Sequence, residues 1–350
     1  RCFNLQIVKF LKGEEQIEPC VRNEINFGFD SETYDYDFAF IKGQSEAKYA
    51  MEVAAAGGHN ILLSGPPGSG KTLLAQAMPS ILPKITFAEA LEVSKIYSVS
   101  GLLGSGKPLV TKRPFRAPHH TASGIALIGG GSTPKPGEIS LAHRGVLFLD
   151  ELPEFNRSVL ENLRQPLEDG IVTVSRAAGV SKFPAKFILL AAKNPCPCGY
   201  LGDPKHECKC LPGQIEKYQR KISGPLLDRI DLHIEVPAVD ILKLEEKNSG
   251  ESSAIVRARV ESARKMQSER FKEDKIFTNS EMNNNLLEKY CPLDEPAKLK
   301  LREVCEYYNL SARSYHRLIK VSRTIADLSG VKDITAGHIK QAAQFRIQNM

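Results

Sequence analysis

No apolar run in the 350-residue sequence approaches the roughly 18 residues that a membrane-spanning helix requires. The first residues, Arg1–Glu14, mix charged and apolar side chains and lack the apolar stretch of a secretory signal. No internal repeat and no low-complexity tract is present, which removes solenoids, coiled-coil arrays and disordered tails from consideration. The chain begins with Arg1 rather than Met, so an N-terminal piece is expected to be missing. Together these absences lead us to expect a cytoplasmic location.

The composition that remains is that of a soluble globular protein, with 42% hydrophobic and 25% charged residues. The length accommodates two domains. A net charge of +6 permits a nucleic-acid partner without demanding one, because the placement of charge matters more than its sum. Of eight cysteines, Cys196, Cys198, Cys208 and Cys210 crowd together, while Cys2, Cys20, Cys291 and Cys305 are scattered and read as reduced core thiols.

Composition divides the chain in three. Residues 1–40 carry an extended-looking run, Phe3–Leu11, and an acidic stretch, Asp30–Asp37; they read as the tail of a preceding module and a linker. Residues 41–237 alternate short apolar runs (Asn60–Ser64, Val146–Leu149, Phe187–Ala191, His233–Val236) with helical segments, the pattern of an α/β parallel sheet covered on both faces. Residues 238–350 lack such runs and carry charged helical stretches such as Ser252–Lys272 and Pro296–Tyr308, which predict a helical domain.

The octapeptide Gly65, Pro66, Pro67, Gly68, Ser69, Gly70, Lys71, Thr72 follows an apolar strand and precedes the helical run Leu73–Met78. That context is what a phosphate-binding loop needs, because glycines let backbone N–H groups close on phosphate oxygens and the helix start adds its positive end. Lys71 is expected to reach the β- and γ-phosphates of ATP, and Thr72 to ligate Mg²⁺. Gly145–Leu149 then delivers the adjacent carboxylates Asp150 and Glu151 to a strand end, where α/β sheets bind ligands. Asp150 would hold Mg²⁺ and Glu151 would polarise the attacking water; a solvated acidic turn is the plainer alternative. A third strand ends in Lys193-Asn194-Pro195, where Asn194 reads equally as a water-positioning amide or as an Asx-turn before proline.

Several long motifs carry a resemblance. They are Gly57–Thr72, Arg113–Thr121, Pro136–Leu152, Asn194–Gly199 and Ser223–Leu232. From about Phe38 to the C-terminus the sequence resembles the magnesium-chelatase-like AAA+ ATPases of the ComM/YifB group. The resemblance implies an AAA+ P-loop core with a C-terminal helical lid. It also implies that Phe3–Leu11 is the last strand of an N-terminal Lon-like domain. It places Asn194 at the sensor-1 position, Arg229 at the arginine finger that reaches a neighbour's γ-phosphate, and Arg313 at the sensor-2 position. The rings of the family are hexamers. A salt bridge to Asp228 or Asp231 is the plainer role for Arg229. Lys193 departs from the family, which has an apolar residue there, and no role is placed on it.

The stretch Asp169–Pro184 alternates at Ile171, Val172 and Val174, then breaks at Ala-Ala-Gly and resumes, the pattern of a β-hairpin. In related rings such as the MCM helicases this hairpin points into the channel, which would place Arg176 and Lys182 on single-stranded or branched DNA. A glycine-rich insert, Leu102–Pro136, with Lys107, Lys112, Arg113 and Arg116, is similar to a second channel element. Ordinary solvated cations are the alternative for both. His119 and His120 are adjacent and read poorly as metal ligands. Cys196, Cys198, Cys208 and Cys210 would suit structural Zn²⁺; free thiols and a disulfide formed on purification remain open. The leading expectation is an ATP-driven, DNA-stimulated ring motor serving helicase or branch migration in recombination or natural transformation. A chelatase-type subunit remodelling a protein partner, and a bare nucleotide switch, are the alternatives.

Overall fold

A computed structural model describes residues 8–16, 34–104, 109–131, 134–176, 179–239 and 250–347. Residues 1–33 and 34–350 form two separate compact units. In the first, residues 8–11 are helical, with the Lys12 amide donating to the Val8 carbonyl at 3.1 Å. The strand expected over Phe3–Leu11 is therefore corrected for this portion, and its residues 3–7 lie outside the described residues.

The second unit is built on five parallel strands. They are β1 (Ile61–Ser64), β2 (Phe115–Arg116), β5 (Val146–Leu149), β8 (Ile188–Lys193) and β9 (Leu232–Glu235), in the order β2-β5-β8-β1-β9. Two antiparallel pairs stand apart, β3 (Gly129–Gly130) with β4 (Lys135–Pro136), and β6 (Ile171–Arg176) with β7 (Gly179–Pro184). Side chains alternate across a strand, and this period divides the core. Ile61, Leu63, Val146, Phe148, Ile188, Leu190, Leu232 and Ile234 face one cluster, while Leu62, Leu147, Leu149, Leu189 and Ala191 face another.

The first cluster joins the sheet to helix Ser45–Gly57 and to the C-terminal helices Ser253–Arg270, Ala312–Leu328 and Ala336–Ile347. Helix Ser45–Gly57 can approach closely because Ala50, Ala54, Ala55 and Ala56 present only methyl groups and are fully buried. A Cβ at its last residue, Gly57, would lie 2.2 Å from the His59 ring. The second cluster packs Val172 and Val174 of the hairpin, Leu127 of the insert and Ile139 just after it under the opposite face. The sheet thus carries a helical layer on one side and the hairpin and insert on the other. No helix among the described residues is long and apolar enough to cross a membrane.

Candidate functional site

The loop Gly65–Thr72 leaves β1 and enters helix Lys71–Ile81. Its first residue is clasped by both neighbouring strands: the Gly65 amide donates to the Lys193 carbonyl at 3.2 Å, and a Cβ there would lie 2.1 Å from the Val236 carbonyl oxygen. Gly70, the residue before the helix, has φ +91°, a conformation that side chains resist. Lys71 curls back so that Nζ donates to the Gly65 and Pro66 carbonyls, both at 2.8 Å. Burial lowers its pKa, with Asp150 opposing. Gln44 ties the loop from outside, donating to the Ser69 carbonyl at 3.2 Å and the Pro237 carbonyl at 2.7 Å.

β5 lies beside β8 with Leu149 opposite Ala191, and β8 lies beside β1 with Lys193 opposite Ser64. Parallel strands bring their carboxyl ends together, so Asp150, Asn194 and the phosphate loop share one edge. There Thr72 Oγ1 donates to Asp150 Oδ2 at 2.8 Å. Asp150 Oδ1 accepts from the Glu151 amide at 2.9 Å. A hydroxyl and a carboxylate in contact are hard oxygen donors of the kind Mg²⁺ takes beside phosphate oxygens. Glu151 has φ +51°, uncommon for a residue with a side chain and the kind of strain found at reactive sites. Its carboxylate lies 3.3 Å from His120 Nδ1, and the His120 ring centre is 4.0 Å from that of His119, the planes tilted by 34°. Sequence reasoning weighed His120 only as a metal ligand and missed its approach to Glu151, because β2, the strand that precedes it, is two residues long. Lys193 is largely withdrawn from water, and burial lowers its pKa against the opposing pull of Glu235.

Two residues beyond Asn194 the four cysteines converge, all their sulfurs within 4.8 Å of one another. Cys196 Sγ lies 3.4 Å from that of Cys198 and 3.7 Å from that of Cys208, and Cys198 and Cys208 are 3.6 Å apart. No disulfide joins any two of the four. A tetrahedral zinc–thiolate centre with bonds of about 2.3 Å spaces its sulfurs about 3.8 Å apart, so the donor set fits Zn²⁺. The loop also touches the phosphate loop: a Cβ at Gly199 would lie 2.4 Å from Pro67 Cδ. Tyr218 is buried nearby, its hydroxyl pushed up to about 12 by burial and then by Glu154, Cys196 and Glu151.

The two candidate arginines lie elsewhere. Arg229 comes just before β9, at the amino edge of the sheet, where its carbonyl accepts from Asn60 Nδ2 at 3.1 Å. Neither Asp228 nor Asp231 holds its guanidinium; Nη2 pairs with Glu168 and Nη1 donates to the Pro225 carbonyl at 2.7 Å. Arg313 pairs with the other oxygen of Glu168 at 2.5 Å. Asp231 is taken by Arg317. Burial alone would raise the Asp231 pKa, but Arg317, His59 and the Asn60 amide hold it well below the carboxylate range. A cavity of about 290 Å³ at this edge is lined by Glu168, Lys186, Asp231, Arg317 and Lys320. The fold therefore gathers Lys71, Thr72, Asp150, Glu151 and Asn194 at one edge and Arg229 with Arg313 at the other.

The expected hairpin is present as β6 and β7, with Arg176 opposite Gly179 and Lys182 opposite Thr173. Val172 and Val174 anchor it to the core, and Lys182 is exposed. The turn residues 177 and 178 lie outside the described residues, as does Lys107 of the insert. Two other insert cations are corrected. Arg113 is bound internally, to Glu89 at 2.8 Å and to the Pro83 and Arg144 carbonyls, and Arg116 pairs with Glu138 at 2.6 Å. Neither is a free channel cation or an ordinary solvated one. Lys112 lies 6.0 Å from the centre of the Tyr34 ring.

Residues 37–244 match the family described as magnesium chelatase, subunit ChlI, and residues 250–346 match its C-terminal domain. The chain is 45% identical over 349 residues to competence protein ComM of Haemophilus influenzae, covering 98% of the chain and 66% of that protein. It is 42% identical to YifB of Salmonella typhimurium, covering 99% of the chain and 67% of the relative. A chloroplastic magnesium-chelatase subunit, ChlI-2 of Arabidopsis thaliana, is 24% identical over 332 residues. The chain thus spans about two thirds of the ComM and YifB relatives. With a five-stranded parallel sheet, a C-terminal helical domain and these matches, the chain belongs to the magnesium-chelatase-like AAA+ family, in its ComM/YifB group.

Proposed function

We propose that the protein is an ATP-hydrolysing ring motor acting on DNA. The observation that carries the reading is the division of the site between opposite edges of one sheet. Lys71, Thr72, Asp150, Glu151 and Asn194 belong to one edge, and Arg229 and Arg313 to the other. In this reading Lys71 exchanges its loop carbonyls for β- and γ-phosphate oxygens, and Thr72 and Asp150 hold Mg²⁺, which neutralises phosphate charge. Glu151 orients the attacking water, Asn194 steadies it, and Arg229 with Arg313 stabilises charge on the phosphate of the next subunit in a hexamer. His120 sets the orientation of Glu151.

The domain plan goes with this function: a tail and linker over residues 1–40, an ATPase core over 41–237 and a helical lid over 238–350. The four-cysteine loop holds a structural Zn²⁺. Arg176 and Lys182 of the hairpin contact DNA in the channel, and the work takes place in the cytoplasm. The name of the ComM relative supports a place in transformation and recombination, with helicase or branch-migration activity as the finer assignment. Turnover with and without forked DNA at about 100 mM salt, where phosphate contacts still act, tests it. Stimulation by DNA that is reduced in Arg176→Glu is expected. No binding, no stimulation and no effect of the variant would leave the chelatase-type motor, which remodels a protein, as the better reading. Particle mass with and without ATP tests the ring.

A further inference from the structure

Glu168 has no part in the readings above, yet it joins three elements. It lies in helix Arg164–Asp169, and its two carboxylate oxygens are divided between Arg229, next to β9, and Arg313, near the start of helix Ala312–Leu328. Two residues later the chain passes Gly170, at φ +65°, and becomes the first strand of the hairpin. The stem of that hairpin is fastened at the same point, where the Gly170 amide donates to Pro166 at 2.9 Å and its carbonyl accepts from Ala185 at 2.8 Å. The contacts of Glu168 thus link both candidate arginines to the base of the hairpin.

We infer that Glu168 is a positioning residue that couples the arginine pair to the hairpin: it holds both guanidiniums until a neighbour's nucleotide phosphate takes its place. The inference rests on the reading of Arg229 and Arg313 as acting on the next subunit. Its physical basis is charge exchange. The Arg229 side chain is only 8% exposed, and a cation so far withdrawn from water is costly without an anion. The Glu168 side chain is 47% exposed, so an incoming phosphate can displace it without opening the core. A phosphate offers more negative charge and more acceptor oxygens than the carboxylate it replaces. Glu168 is then freed from both anchors, and the helix that leads through Gly170 into β6 loses its tether to the arginines. In the other direction, a hairpin pulled by its ligand draws Glu168 away and releases the arginines for the neighbour.

The test is Glu168→Gln, which keeps shape and removes charge, in the full chain. Turnover is measured without DNA and with a forked duplex. The DNA-free rate is expected to rise about fivefold, the scale of one partly exposed ion pair, and the stimulation ratio to fall towards one. Glu168→Asp keeps the charge on a shorter arm and is expected between the wild type and Glu168→Gln. It carries the test if the glutamine variant does not fold. Equal stimulation ratios in all three proteins, or DNA-free and DNA-stimulated rates that fall by the same factor, overturn the coupling. Arg229→Ala and Arg313→Ala separate the two readings. If neither slows the assembled protein, the arginine reading fails and the coupling fails with it. If both do while Glu168→Gln leaves the ratio intact, the coupling alone fails. Should DNA leave wild-type turnover unchanged, the DNA reading falls, and the DNA-free rise in Glu168→Gln still decides whether Glu168 restrains the arginines.

Discussion

Replacing Gly199 by alanine asks whether the cysteine loop supports the phosphate loop or merely lies beside it. Gly199 has φ +87°, and the added Cβ would stand 2.4 Å from Pro67 Cδ and 2.7 Å from Pro67 Cγ. Ordinary carbon contacts lie at about 3.5–4.0 Å, so one loop must move by about 1 Å. The left-handed backbone costs a residue with a side chain roughly 1–2 kcal/mol, whatever its surroundings. Gly202 supplies the control: its φ is +79°, but nothing lies within 4 Å of its Cβ position. Gly202→Ala therefore carries the backbone cost without the collision. A displacement of about 1 Å at a reacting centre can cost about 100-fold in rate. Gly199→Ala is expected to lose at least about tenfold in ATP affinity or turnover, while its thiol count and any metal content stay at the wild-type level. Gly202→Ala should lose stability alone, by about 1–2 kcal/mol in denaturant unfolding. Fluorescent-nucleotide binding and steady-state phosphate release measure the difference. ATP binding and turnover at the wild-type level in Gly199→Ala would refute the idea that Pro67 is braced by the cysteine loop.

Glu151→Gln should keep ATP binding and lower hydrolysis by at least about 100-fold, the usual contribution of a positioned base; unchanged turnover in phosphate release removes Glu151 from that role. Protein purified without chelator should contain about one zinc per chain by atomic absorption, and a content near zero removes the metal from the cysteine loop. Acid should destabilise the fold. Glu92 is held at about 2 by its hydrogen bond to His143, with burial opposing and Arg144 assisting, and Asp231 is likewise depressed. Carboxyls whose folded values lie below the ordinary value of about 4 add stability above that pH, which is lost as pH falls towards 2. Melting temperature should therefore fall between about pH 4.5 and 2, less steeply in Asp231→Asn, and equal slopes would refute the role of Asp231.

The buried strands could be read from sequence because each is a run of apolar residues covered on both faces, and Val146–Leu149 is strand β5 residue for residue. The loop Gly65–Thr72 between β1 and its helix could be placed because its glycines, Lys71 and Thr72 are contiguous. Contacts between distant segments were not legible in the same way. Arg113 and Arg116 look like free cations in sequence, but their partners Glu89 and Glu138 are 24 and 22 residues away and are brought to them only by folding. β2, with two residues, is too short to show a period, so the approach of His120 to Glu151 left no local signal. Glu168 reads as one more charged residue before a hairpin, and its significance depends on Arg229 and Arg313, 61 and 145 positions later.

The separation of the two groups also constrains how subunits could meet. From Asn60, which bonds to the Arg229 carbonyl, to Gly65, which opens the phosphate loop, is five residues along a strand, about 17 Å. No arginine side chain spans that length, so Arg229 cannot serve the Lys71 of its own chain without a rearrangement of the sheet. An isologous dimer pairs residue i with j and j with i, so it would join the two groups reciprocally and complete both sites within one pair. A head-to-tail contact apposes the carboxyl edge of one subunit to the amino edge of the next and leaves one group of each subunit open for a further neighbour. Such contacts close into rings when the rotation allows. On the proposed reading, the ring completes a catalytic site that the sheet divides within each chain.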